Sequence, residues 1–481
     1  MRIRHVHVAI LVVFLGLSGC SGALPTLPPP SPEAKAVVAD RPATVARTDP
    51  EIAGRERVAT DPVPYTIAML NPSRAGQMLT ARGPVTAPAP RTRSLTLPRA
   101  ADATPNTKEN LFDVVTVLWG TDRKVDTQVI GPSPIPAPNP VSHTPLVTSS
   151  IEAIAPIVYA KPTTERGNKL VTGAAVVTIP RTARAVGTIP RPRQYTFLNV
   201  HYYRETESPA KHFTIASLRV LDALELSRRA NSELDRAIHA KDQALVFVHG
   251  YNTSFDDALY RAAQIAHDLE FDGLTAMYSW PSRGTYVDYS YDLNSAARSQ
   301  RYLIEFLGRL AKETRVKQIH IVAHSMGNRP LIEALRTVQT GSDRALQSKL
   351  GQIVFAAPDV DRDLFSEITA QLKVGAGRTL YASNEDKALI LSRQADGIPR
   401  AGDVPADGPV ILSNLDTIDI SKASTNPLLS TNHSDYAERS HILKDIRLLI
   451  ETGTRPPDIR FPLYAVAEAR TGKYWRYTPN N

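Results

Sequence analysis

Residues 319–330 read IHIVAHSMGNRP. The apolar segment QIHIVAH, residues 318–324, runs into Ser325, and GNRPLIEALRTVQ beyond it repeats apolar residues at helical spacing. A serine where strand, sharp turn and helix meet presents its hydroxyl at the edge of a sheet, provided that the backbone takes a strained turn. Such a turn accepts only small residues two places before and two places after the serine, and here they are Ala323 and Gly327. The pattern A-H-S-M-G departs from G-x-S-x-G by one methyl group, which the steric requirement permits. The plainer alternative is a serine that merely caps the following helix.

The flanking chain repeats this alternation. ALVFVHG (244–250), LTAMYSW (274–280, stopped by Pro281), QIVFAAPD (352–359) and RTLYAS (378–383) are short, almost wholly apolar strand candidates. Between them, the helix predicted over 251–271 opens with Ser254 and Asp257 in capping spacing, and that over 295–312 carries Leu303, Phe306, Leu307 and Leu310 on one face. A further helix is expected from about Asp386. From about residue 215 the pattern is that of an α/β domain: a mostly parallel central sheet with helices on both faces. FDVVTVLWG (112–120), AAVVTIP (174–180) and YTFLNVHYY (195–203) are strand candidates upstream, and no internal repeat is visible.

A nucleophilic serine needs an oxyanion site, a base and an acid that orients the base. FVHGYN, residues 247–252, ends a strand and opens a helix, where backbone N–H groups face incoming anions. In α/β-hydrolases the oxyanion hole combines an N–H from such a loop with the one after the nucleophile, which points to Tyr251, with Asn252 as an alternative, and Met326. The chain order in this fold is nucleophile, acid, histidine. Asp386 follows the strand RTLYAS on the edge where active sites of parallel sheets collect, and its rivals are Asp359 and Asp361 after the preceding strand. Each of these aspartates could instead cap a helix. For the base, His433 stands in a polar stretch just before a helix, whereas His441 falls inside that helix. His324 adjoins the serine, but neighbours on a sharp turn point apart. Trp280, Tyr286, Tyr289 and Tyr291 are candidates for an acyl pocket or for packing.

The amino terminus carries different information. MRIRHVHVAILVVFLGLSGCSG has early arginines, an apolar run from Val8 to Leu17 too short to span a bilayer, and then Cys20, the only cysteine in the chain. A disulfide within the chain and a multi-cysteine metal site are therefore excluded. The stretch resembles a bacterial lipoprotein signal, residues 1–19, which implies cleavage before Cys20 and its acylation; Ser21, rather than aspartate, implies passage to the outer membrane, facing the periplasm. Residues 20–108 read as a proline-rich tether. Of the 38 prolines, 27 fall before residue 210 and 11 after it. Within the tether Arg74, Arg82, Arg91, Arg93 and Arg99 stand with no acidic residue between positions 62 and 101, a strip that suits either solvent or an anionic surface. A second proline cluster, near 131–145, reads as a surface insertion, and residues 456–481 as a C-terminal extension of a domain spanning 109–455.

From about Leu111 to Ile450 the chain resembles a bacterial α/β-hydrolase family once known as domain of unknown function 900. The matching segments are VLWGTDRK, TERGNKLVTG, VFVHGYNTSFDDALYRAAQIAHDL, YSWPSRG, IVAHSMGN, FAAPDVDRDLF, TLYASNEDKAL, TIDIS and NHSDY. The resemblance implies the α/β-hydrolase fold with Ser325 as nucleophile, and it supports Asp386 and His433 by matching position. It supplies no substrate.

A net charge of +8 over 481 residues, without a long basic cluster, gives no reason to expect nucleic-acid binding. No metal constellation and no nucleotide-binding loop is present, so no cofactor is expected. The expected chemistry is acyl transfer, by default hydrolysis of an ester with an acyl-ester or lipid substrate, on a protein held to the membrane through Cys20. The competing expectation is a non-catalytic envelope lipoprotein that uses the same fold as a binding platform.

Overall fold

In the computed structural model the described residues are 111–130, 157–182, 184–197, 200–283, 288–384, 397–423 and 436–479, all within the compact unit Leu97–Asn481. The signal, the tether, Cys20 and the 131–145 proline cluster lie outside them, as does the start of the helix expected from Asp386.

The elements follow in chain order. Strands β1 (Phe112–Ile130) and β2 (Ile157–Pro180) are long, and β3 (Gln194–Phe197), β4 (Val200–Arg204) and β5 (Thr214–Val220) are short. Next come α1 (Ala223–Arg236), β6 (Gln243–Val248), α2 (Phe255–Asp268), β7 (Leu274–Ser279), α3 (Tyr289–Glu313), β8 (Gln318–His324) and α4 (Asn328–Thr340). Then α5 (Arg344–Lys349), β9 (Leu350–Ala356), α6 (Arg362–Gln371), β10 (Gly377–Ala382) and β11 (Asp416–Asp419) lead to a helix at Tyr436–Thr452 and the strands β12 (Tyr464–Ala469) and β13 (Gly472–Tyr477).

Among the described residues one sheet runs in the order β12-β13-β11-β10-β9-β8-β6-β7-β1-β2-β5, and β3 and β4 pair separately. Its centre, from β1 to β13, is parallel; β1–β2, β2–β5 and β12–β13 are antiparallel. The expected mostly parallel sheet with helices on both faces is therefore present. Its cause is visible in β6 to β9, where alternate side chains feed opposite cores. Val246, Val248, Ile321 and Ala323 pack with helices α1, α3, α4 and α6. Leu245, Phe247 and Val322 pack with α2 and the helix Tyr436–Thr452. Strands buried on both faces need apolar residues at every position, which is why they read as unbroken runs.

The two sheet margins were less visible in the sequence. β1 pairs with β2 along its whole length and lies beside β7 in parallel over Leu118–Thr121, so the first strand is inserted next to the seventh. The segment 456–481, set apart as an extension, instead supplies the other margin: β13 pairs with β11 and carries β12 outside it. A buried polar cluster fixes this margin. Asp445, in the helix Tyr436–Thr452, accepts hydrogen bonds from Arg460 Nε (2.6 Å), from Tyr464 Oη (2.9 Å) and from Tyr381. No helix among the described residues is long and apolar enough to cross a membrane.

Candidate active site

Ser325 stands directly after β8, flanked in the sheet by β6 and β9, at the C-terminal edge where parallel sheets gather their active sites. Its φ is +48°, a left-handed conformation that a residue with a side chain adopts at a cost of about 1–3 kcal/mol. The strain is held by the surroundings. Asn328 Nδ2 donates to Ser325 O (3.0 Å) and to Ala323 O (3.2 Å), and the Asp359 N–H donates to Ser325 O (3.1 Å). A Cβ on Gly327 would overlap His249 O and lie 2.9 Å from Val248 O, so the small residue is required there. The capping alternative fails: the residue preceding α4 is Gly327, and no side chain caps that helix.

The loop after β6 packs against this elbow. Of the two oxyanion candidates expected in it, the Asn252 N–H donates to Asp292 Oδ2 at 3.3 Å. Asn252 itself has φ +53°. Beneath the loop His249 stacks on Trp280, with ring centroids 4.9 Å apart, and Trp280 Nε1 donates to His249 O at 2.8 Å. Trp280 is thus a buried support and not a pocket wall.

Asp386 and His433 lie outside the described residues, so the structure describes Ser325 and the loop after β6 but neither the residue expected as base nor that expected as its orienting acid. It does describe their rivals. Asp361 caps α6, accepting from the Leu364 N–H at 2.7 Å. Asp359 is buried and accepts from Arg400 Nε at 3.0 Å and from Tyr289 Oη at 3.2 Å, with Arg329 at 3.7 Å. His324 is buried, and burial pushes its ring well below the usual imidazole range, so it is a neutral packing group. His441 bonds Tyr477 through Nδ1 at 2.7 Å and packs on Phe461.

Among the aromatic candidates, Tyr289 and Tyr251 meet edge to face at 5.4 Å, which places Tyr289 between the oxyanion loop and Asp359. Tyr291 is sandwiched between the guanidinium groups of Arg166 (4.4 Å) and Arg283 (3.8 Å), a rim contact. Tyr286 lies outside the described residues. Sequence reasoning missed Arg123, Ser279 and Asp292, the polar groups that hold the loop from below. The one available signal was an arginine at the end of an apolar strand, WGTDRK, where a buried cation demands acceptors.

The sheet order and the turn at Ser325 are those of the α/β-hydrolase fold. Residues 224–452 match the family described as "Alpha/beta hydrolase of unknown function (DUF900)". The family expected from the sequence is thus found, while β1 to β5 lie before the matched segment. No curated protein matches the chain. Among solved structures, a crystal structure of a predicted CIB-like hydrolase from Thermoplasma acidophilum is 16% identical, with 44% of this chain and 89% of that chain covered and a TM-score of 0.26. An uncharacterized protein from Bacillus cereus is 13% identical, with 45% and 62% covered and a TM-score of 0.28.

Proposed function

We propose that the protein is a serine hydrolase acting on carboxylic esters through an acyl-enzyme. The observation that carries this reading is the strained Ser325, held at φ +48° in a turn built around Ala323, Gly327 and Gly250. A merely structural serine has no need of such a conformation. Ser325 Oγ attacks the ester carbonyl while His433 takes its proton, and Asp386 steadies the imidazolium. The negative oxygen is received by the N–H groups of Tyr251 and Met326. Collapse expels the alcohol, which takes the proton from His433; water then repeats the sequence and releases the acid.

The resemblance of residues 1–19 to a lipoprotein signal supports the bacterial envelope as the place of this chemistry. Acylation at Cys20 would tether the domain to a membrane, and the Ser21 that follows it favours the outer membrane, facing the periplasm. An acyl ester or lipid is the substrate class that suits such a position.

A fluorescent fluorophosphonate tests the reading on the full-length chain in detergent. Wild type should label and Ser325→Ala should not. A folded wild type that takes up neither this probe nor small activated esters would return the fold to the role of a binding platform.

A further inference from the structure

The oxyanion loop rests on a run of hydrogen bonds that begins in β1, outside the family-matched segment. Arg123 is buried, and its guanidinium reaches four acceptors. Nε donates to Ser279 Oγ at 2.9 Å, one terminal nitrogen donates to Ser282 O (2.9 Å) and Thr163 O (3.2 Å), and the other donates to Thr253 O at 3.0 Å. Burial lowers its pKa to about 10, so it stays charged at neutral pH.

The contacts of this network favour one arrangement of its protons. Gly250 O can only accept, so His249 Nδ1 carries hydrogen and donates to it at 2.8 Å. His249 Nε2 is then an acceptor, and the Ser279 hydroxyl must donate to it at 3.0 Å. Ser279 Oγ in turn receives Arg123 Nε–H. Burial, with the nearby Arg123 cation, holds His249 at a pKa of about 3, so the ring is neutral and the direction of the run is constant.

The last acceptor gives this run its meaning. The carbonyl of Gly250 and the N–H of Tyr251 are the two ends of one planar peptide, so fixing the oxygen fixes the direction of the N–H. A hydrogen bond to the oxygen also polarises that N–H. We infer that Arg123 is a positioning residue for the oxyanion hole, acting through Ser279 and His249 to aim the Tyr251 N–H. This inference rests on the hydrolase reading above. Asp292 grips the same loop from α3: it accepts from Ser282 Oγ (2.5 Å), from the Arg283 N–H (2.9 Å) and from the Asn252 N–H. A cation from β1 and an anion from α3 thus both hold the loop.

A brace for the fold and a device that aims one N–H differ in what their removal changes. The test compares wild type, Ser325→Ala, Arg123→Lys, Ser279→Ala and the double Arg123→Lys/Ser279→Ala as full-length chains. It reads kcat and KM for p-nitrophenyl acetate, and inhibition by phenylboronic acid, whose serine adduct places an anionic oxygen in the hole. Ser279→Ala removes one hydroxyl and should lower kcat by roughly 10–100-fold with KM within about threefold. Boronate affinity should fall with kcat/KM, and the double variant should lose no more than the worse single, because the groups act in series. Unchanged kcat and boronate affinity in folded Ser279→Ala, or losses that multiply in the double, would overturn the assignment and leave the hydrolase reading intact. A folded wild type no more active than Ser325→Ala would bring down both together.

Discussion

Gly250 and Ser325 approach so closely that a methyl group on the glycine would lie 2.9 Å from Ser325 Cβ and 2.6 Å from His324 Nδ1. The oxyanion loop and the nucleophile elbow are therefore in mutual contact, and their separation is set by the absence of one side chain. Gly250→Ala must push them apart by several tenths of an ångström. Fluorophosphonate labelling of this variant should slow by about 100-fold, the usual order of loss for small misplacement of reacting groups. Circular dichroism would check that the fold is kept, and an unimpaired rate would remove the close approach from the mechanism.

The acids can be separated by charge-neutral substitution. Asp359 already accepts from Arg400 and Tyr289, so its carboxylate reads as a brace between β9 and the segment at 400. Asp359→Asn should cost stability, about 3–5 kcal/mol for a broken buried pair, with labelling reduced only a few-fold in the folded fraction. Asp386→Asn should instead cut labelling by roughly 10³–10⁴ at little cost in stability. The reverse pattern would make Asp359 the triad acid.

How much of this site was legible follows from the range of its interactions. The elbow and the His249-Gly250 turn could be read because each is local: an apolar strand, a small residue and a helix within a dozen positions. The Arg123–Ser279 bond joins residues 156 positions apart, and neither carries a local mark of the other. The margins of the sheet were hidden for a different reason. β1 and β2 are 19 and 24 residues long, well beyond a usual strand of about five or six, and a proline cluster interrupts them. In YAVAEARTGKYWRY the hairpin of β12 and β13 turns at Arg470-Thr471, but its alternation is blurred because the edge strand β12 exposes Val466 and carries one polar residue, Glu468. Asp386 and His433 remain readings from chain order and resemblance.

Acid should destabilise the fold through buried imidazoles. His249 and His320 are lowered by burial to about 3 and about 4, and burial holds His324 well below the usual imidazole range. Each is neutral when folded but takes up a proton near pH 6.5 when unfolded, so stability is full above that value and falls as pH drops toward the folded pKa. Each ring contributes a slope of about 1.4 kcal/mol per pH unit in the window between about 4 and 6.5. Urea midpoints at pH 7 and pH 5 measure it, and His320→Gln should shrink the difference between them. An equal difference in variant and wild type would show that His320 does not titrate in this way.

Asp445 makes a further case. It and Arg460 are both fully buried, and Tyr381 and Tyr464 complete the carboxylate's partners. Asp445→Asn leaves a buried guanidinium without its counter-charge and should cost about 3–5 kcal/mol. The double variant Asp445→Leu/Arg460→Met should recover much of that loss, since replacing both charges by apolar groups removes the desolvation cost. A denaturant series on the three proteins decides it.

The placement of β1 next to β7 has a consequence for biosynthesis. As the chain leaves the ribosome, or a membrane pore, Arg123 emerges long before Thr253, Ser279 and Ser282, the groups that must replace its water. The guanidinium has to stay hydrated, and the parallel edge of β1 open, until β7 has been made and docked. An intermediate of this kind offers an unpaired strand to its neighbours. The surroundings of Ser325 are thus completed late, and on the hydrolase reading a newly made chain stays silent until its own middle has folded back onto its beginning.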